Sequence, residues 1–123
     1  MKKRVYILSY IILLIISINL VSAVVINVPG NHPTIGAAVG NASNGDTINV
    51  TGIFNESVLV NTTVFIIGNN ATIHSTNVSF NITASNVLIS GFNIFVVPGS
   101  KGAVFVNNNN SNIFTGTKVI FNN

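Results

Sequence analysis

The sequence predicts an all-β fold: a parallel β-helix of about four coils, stacked at the ~4.8 Å strand spacing to a height of roughly 20 Å, behind a short N-terminal capping helix. Three observations carry this. A motif of two apolar residues, one variable residue and a glycine recurs at Phe65-Ile66-Ile67-Gly68, Leu88-Ile89-Ser90-Gly91 and Ile113-Phe114-Thr115-Gly116. Its glycines are 23 and 25 residues apart, a period that marks solenoids and arrays. A second apolar patch follows each copy, at Ala71–Ile73, Phe92–Phe95 and Val119–Phe121. Finally, the candidate strands Thr47–Val50, Ser57–Val60 and Val64–Ile67 are short, closely spaced and rich in β-branched residues. Leucine-rich repeats have a similar period, but leucine is scarce here and their leucine/asparagine template is missing.

The first segment has the form of a secretory signal. Lys2, Lys3 and Arg4 precede an apolar run, Val5–Ile18, and Val21-Ser22-Ala23 offers small residues for cleavage. The alternative is an uncleaved membrane anchor, but from Val5 to Val21 the run is borderline in length for a span, and Ser9, Ser17 and Asn19 interrupt it. Residues 1–23 are therefore expected to be removed after Ala23, leaving one β-helix domain, residues 24–123, that is secreted or displayed at the cell surface. The membrane is met only through the leader. The formal charge of +3 belongs to the leader as well. Beyond it Lys101 and Lys118 balance Asp46 and Glu56, so the clustered basic surface that a nucleic-acid partner needs is missing. The chain has no cysteine, so coil stacking rather than disulfides has to stabilise it.

Val24–Val28 reads as a strand leading into the first coil and ending at Pro29-Gly30, and His32 lies in the turn that follows. Thr34 can cap a helix that buries Ile35, Ala38, Val39 and Ala42, spaced i, i+3, i+4 and i+7, and Asn44-Gly45-Asp46 ends it with a turn. Further strands are expected at Asn77–Thr83 and Asn86–Ile89. In the former, alternation directs Val78, Phe80 and Ile82 inward and Asn77, Ser79, Asn81 and Thr83 outward. Ile67 and Ile89 are both expected to face the core. Gly68, Gly91 and Gly116 are expected at equivalent corners, where φ is positive or backbones approach closely.

The ordered set Pro-Thr-Ile-x-Ala-Ala-Val (Pro33–Val39), Gly-Asp-Thr-Ile-x-Val (Gly45–Val50), Asn-Glu-Ser-Val-x-Val (Asn55–Val60) and Phe-Ile-Ile-Gly (Phe65–Gly68) resembles the opening of pectin-lyase-like β-helix proteins. Archaeal adhesin-like surface proteins and pectin methylesterases look similar here. The resemblance covers about a third of the chain and implies a right-handed coil. It departs from the pattern at Thr51-Gly52-Ile53-Phe54, where the family usually has a proline before the glycine. The methylesterase catalytic aspartates and arginine lie on later coils of that family, and no segment here matches them.

Asparagine supplies 20 of residues 24–123. It tolerates the left-handed conformation of tight turns, and stacked asparagines can form hydrogen-bonded ladders. The same residues create eight sequons, at Asn41, Asn49, Asn55, Asn61, Asn70, Asn77, Asn81 and Asn109. Each is a candidate N-glycosylation site, with Asn81 at risk of being hidden between strands, and Asn107–Asn110 reads as a polar loop.

Candidate chemistry is thin. Asp46 and Glu56 are the only carboxylates. As a pair they could serve acid/base work, but they read more simply as a turn terminator and a turn hydrogen-bonder. His32 and His74 without cysteine form no metal-ligand spacing. Neither a cofactor, a metal nor a catalytic residue is expected. The sequence thus predicts a non-catalytic, adhesin-like protein that meets glycans or other surface proteins. The alternative is the N-terminal piece of a carbohydrate-active β-helix enzyme, of pectinesterase or polysaccharide lyase type, without its catalytic coils. Nothing after Phe121 closes the last coil as the helix closes the first. The chain is therefore expected to be part of a longer array or to pair end to end, with Phe114, Ile120 and Phe121 partly exposed.

Overall fold

Parallel pairing between stretches one repeat apart builds the molecule. The computed structural model describes residues 2–16, 22–107 and 111–121. In chain order these form α1 (Lys2–Ile16), β1 (Val25–Val28), α2 (Ile35–Asn41), β2 (Thr47–Asn55), β3 (Val58–Val60), β4 (Phe65–Ser75), β5 (Val78–Ile82), β6 (Leu88–Val96), β7 (Gly102–Val106), β8 (Ile113–Thr115) and β9 (Lys118–Phe121). One sheet runs β1-β2-β4-β6-β8, with β9 also on β6, and a smaller one runs β3-β5-β7. The stack is a β-solenoid of about four turns. Phe65 stands beside Leu88 and Leu88 beside Ile113, so the repeat seen in the sequence is the coil itself.

The core is made of side-chain columns. Ile26, Ile48, Ile66, Ile89 and Phe114 follow one another in register across β1, β2, β4, β6 and β8. Ile48, Ile66 and Ile89 are wholly buried. Val58, Phe80 and Val104 form a column in the smaller sheet, and Phe80 meets Phe92 edge-to-face at 5.3 Å, joining the two sheets. Ile67 departs from expectation. It is half-buried, and its neighbours are Asn49 and Ser90. Ile66 takes the inward place, which the unbroken apolar run Val64–Ile67 hides in the sequence.

β2 and β4 are longer than their predicted strands because they continue round a corner, with register shifts between Val50 and Gly52 and between Ile67 and Ala71. Positive φ recurs at this corner: +103° at Gly52, +53° at Asn70, +77° at Gly91 and +57° at Gly116. The expectation for Gly68, Gly91 and Gly116 is met by positive φ at the last two and, at Gly68, by its other form, a close approach of backbones. Asn70 takes the left-handed position in β4, and Gly68 precedes it. Gly68 is needed for a different reason, since a Cβ there would lie 2.8 Å from the Gly91 carbonyl oxygen.

Ser79 is a second correction. The alternation directs it outward, yet it is 1% exposed. Asn81 of the same set is half-buried. Asparagine ladders are also scarce. Among the described strands, only Asn27 and Asn49 stand side by side in register. Asparagine acts instead at turns: Asn70 and Asn86 have left-handed φ, and the Asn44 and Asn112 side chains accept from the Thr63 and Val87 N–H groups at 3.1 and 2.9 Å.

α2 covers the first end of the coil, against β1, β2 and β3. Thr34 caps it, accepting from Ala37 N–H at 3.1 Å, and Ile35, Ala38 and Val39 are buried. Ala42, predicted within the helix, is its C-cap and packs at the core edge. At the other end, β8 and β9 pair with β6, and Phe114, Val119 and Phe121 are exposed while Ile120 is partly so.

Candidate functional site

The two carboxylates are placed by backbone N–H groups. Glu56 follows β2 and reaches back to the start of α2. Its Oε1 accepts from Ile35 N–H at 2.9 Å and its Oε2 from Gly36 N–H at 3.0 Å, satisfying two of the donors that a helix start leaves free. Asp46 is 5% exposed and accepts from Val24 N–H through Oδ1 and from Ser43 N–H through Oδ2, each at 2.8 Å. These two donors hold its carboxyl below the usual value of 3.8, against the opposing effect of burial. Glu56 thus hydrogen-bonds from the coil turn after β2, and its partners are the first N–H groups of α2. Asp46 does more than end a turn, since it ties the start of β1 to the turn before β2.

A concave surface forms where the chain turns from the larger sheet into the smaller. Asn55-Glu56-Ser57 makes this turn between β2 and β3, and Ser75-Thr76-Asn77 makes it one coil later. The Ser57 hydroxyl donates to the Val78 carbonyl, tying one coil to the next, and Asn77 N–H donates to Ser75 Oγ at 3.1 Å within the second turn. Between them lies a groove of about 370 Å³, lined by Asn55, Glu56, Ser57, His74, Asn77 and Val97 among others. His74 stacks on Phe95 in the neighbouring strand, with ring centres 4.7 Å apart and planes 10° apart.

A second groove, of about 390 Å³, shares Ser57 and Asn77 with the first and adds Val78, Asn81, Lys101 and Phe105. Asn81 Oδ1 is buried without a hydrogen-bond partner, leaving an acceptor with unmet capacity. Phe105 is 52% exposed and stands beside Asn81 in register. No family model, curated protein or solved structure matches the chain.

The sequon asparagines are spread over the molecule. Asn41, Asn49, Asn55, Asn61, Asn70 and Asn77 are exposed and Asn81 is half-buried. Asn55, Asn77 and Asn81 come together at the grooves. Asn109 lies outside the described residues, as does Val21 of the expected cleavage motif. Among the described residues no three His, Asp or Glu side chains cluster to hold a metal ion, and no helix is long and apolar enough to cross a membrane. Sequence reasoning missed Lys101 and Phe105. In Gly102–Val106 the apolar run conceals which residue faces out, and only pairing with β5 puts Val104 inward and Phe105 outward.

Proposed function

We propose that the chain is an exported, non-catalytic surface or secreted β-helix of the pectin-lyase-like, adhesin-like type, and that it binds glycans at the paired grooves around Ser57 and Asn77. The observation that carries this is the composition of the second groove: an exposed phenyl ring beside amides, a hydroxyl and an ammonium. A sugar ring presents an apolar C–H face to an aromatic ring and hydroxyls to amides, so both halves of this lining have a use. The carboxylates support a binding role over an acid/base role, because all four of their oxygens accept from backbone N–H groups.

An array of neutral and acidic oligosaccharides, probed with the purified protein, tests the reading. Retention of a defined set is expected, with at least a tenfold loss of affinity in Phe105→Ala and in Asn77→Ala. Absence of binding across the array, or binding unchanged in both variants, removes the proposal.

The last coil supports a second feature, end-to-end pairing with another copy. β8 and β9 expose Ile113, Phe114, Val119 and Phe121 along one edge of the sheet, and an open edge strand is a template for another strand. Light scattering across a concentration series is expected to show a dimer, which Phe121→Lys disperses. A monomer at every concentration contradicts it.

A further inference from the structure

Val24 is where the leader segment meets the fold. Ser22 and Ala23 are exposed and have no regular structure. Val24 is fastened at both backbone groups: its N–H donates to Asp46 Oδ1 at 2.8 Å, and its carbonyl accepts from Thr47 N–H at 2.9 Å. Asp46 is itself built in. Its Oδ2 accepts from Ser43 N–H at 2.8 Å, its N–H donates to the Ser43 carbonyl at 3.1 Å, and its carbonyl accepts from Phe65 N–H at 3.0 Å. A carboxylate so far removed from water is ordinarily matched by a cation. Among the described residues, this one meets only neutral N–H donors. The two lysines beyond the leader segment, Lys101 and Lys118, belong to the last coils. The atom held against Asp46 Oδ1 is the nitrogen that becomes a cation if the Ala23–Val24 bond is cut.

We propose that hydrolysis of the Ala23–Val24 bond by a peptidase of the signal-processing class converts the Val24 N–H into an α-ammonium that pairs with Asp46, so that export processing itself locks the first coil. Water adds across the carbon–nitrogen bond. Its oxygen joins the Ala23 carbonyl carbon to give a carboxylate, and both its hydrogens end on the Val24 nitrogen as –NH3+. The inference rests on the reading that residues 1–23 are an export leader. The geometry selects this bond over its neighbours. An amine on Ala23 would stand a residue further out, about 3.8 Å along the chain, and one on Val25 would remove the strand's first tie to Asp46. The elements packed round the pair bring Ser43, Thr47 and Phe65, none of which titrates in this range. Glu56 is engaged at the start of α2, His74 stacks on Phe95, and His32 follows the far end of β1.

The test compares the full chain with three others: one starting at Val24, the same chain with Val24 acetylated, and one starting at Ala23. Each is made with Asp46 and with Asp46→Asn. Among the described residues every buried core residue lies between Ile26 and Ile94, so all retain that core. The Val24 amine, ordinarily titrating at about 7.7–8.0, is expected to titrate at least one unit higher by nitrogen-15 NMR. This corresponds to a tenfold smaller unfolding constant at pH 7 than in the acetylated chain. Because the folded value is raised, the advantage is complete below the ordinary value and disappears as pH rises through the folded one. It is absent from the Ala23 chain and from all Asp46→Asn chains. If Asp46→Asn does not fold, the free and acetylated Val24 chains decide alone. An ordinary amine titration with equal stabilities overturns the lock. Sequencing of exported protein separately tests the leader: a first residue other than Val24 overturns the processing reading and, with it, the lock in the cell.

Discussion

Replacing Ile66 and Ile67 one at a time by alanine measures the direction of β4, which the apolar run Val64–Ile67 leaves open. Ile66 is wholly buried between Ile48 and Ile89. Truncation removes about three carbons, or ~2.4 kcal/mol of transfer free energy at ~0.8 kcal/mol per methylene. The surrounding column is fixed by strand pairing and cannot close the gap, so the cavity raises the loss to roughly 3–5 kcal/mol. Ile67 is half-buried beside Asn49 and Ser90. Its truncation opens a gap that water can fill and should cost about 1 kcal/mol. Against the roughly 5–15 kcal/mol of a typical domain the difference is large. Urea unfolding followed by far-ultraviolet circular dichroism reads it as a change in midpoint at constant slope. Equal losses, or a larger loss for Ile67→Ala, would refute the inward assignment of Ile66.

Other substitutions probe the ends and corners. Glu56→Gln keeps the shape but removes the charge facing two helix-start N–H groups, and is expected to cost about 1 kcal/mol, whereas Thr62→Ala, a half-buried residue whose hydroxyl meets only the neighbouring Asn61 side chain, should change the urea midpoint little. Gly91→Ala would force a side chain onto φ +77° and into the Gly68 carbonyl; a loss of about 2 kcal/mol or more is expected, and a stability unchanged within error would contradict the close approach. Asp46 has a folded-state pKa below its ordinary 3.8, so its contribution is present above that value and lost as pH falls through the folded one. An acid titration of stability should accordingly be steeper below pH ~4 in wild type than in Asp46→Asn, and parallel curves would contradict the two N–H bonds.

Much of the fold is legible in the sequence because spacing along the chain becomes position in the coil. The three glycine-ended motifs predict the pairing of Phe65 with Leu88 and of Leu88 with Ile113, and Thr34 predicts the start of α2. Facing is less legible wherever polarity does not alternate, as at Ile66-Ile67 and Ala103–Val106, and Ser79 is buried despite its polarity. The asparagine at the left-handed corner, Asn70, is hidden by the nearby Gly68, which invites the same role. The site is the least legible part. One groove joins Asn55 to Asn77 and the other joins Asn77 to Lys101, residues from three different coils, and no local motif connects them. Asp46 and Glu56 stand out in the sequence only by their scarcity, and their partners lie about one coil away, at Val24 and Ile35.

The central claim is that the grooves sharing Ser57 and Asn77 receive a saccharide. Titrating the nitrogen-15-labelled protein with the best-retained oligosaccharide from the array tests it most directly, because each backbone amide reports separately. The account predicts saturable shifts confined to the turns at Asn55–Ser57 and Ser75–Asn77 and to the Asn81 and Lys101–Phe105 positions, with the column Ile48, Ile66 and Ile89 unmoved. Shifts centred on the sheet face that carries Phe65 and Ile113, or no saturable shift at all, would contradict it.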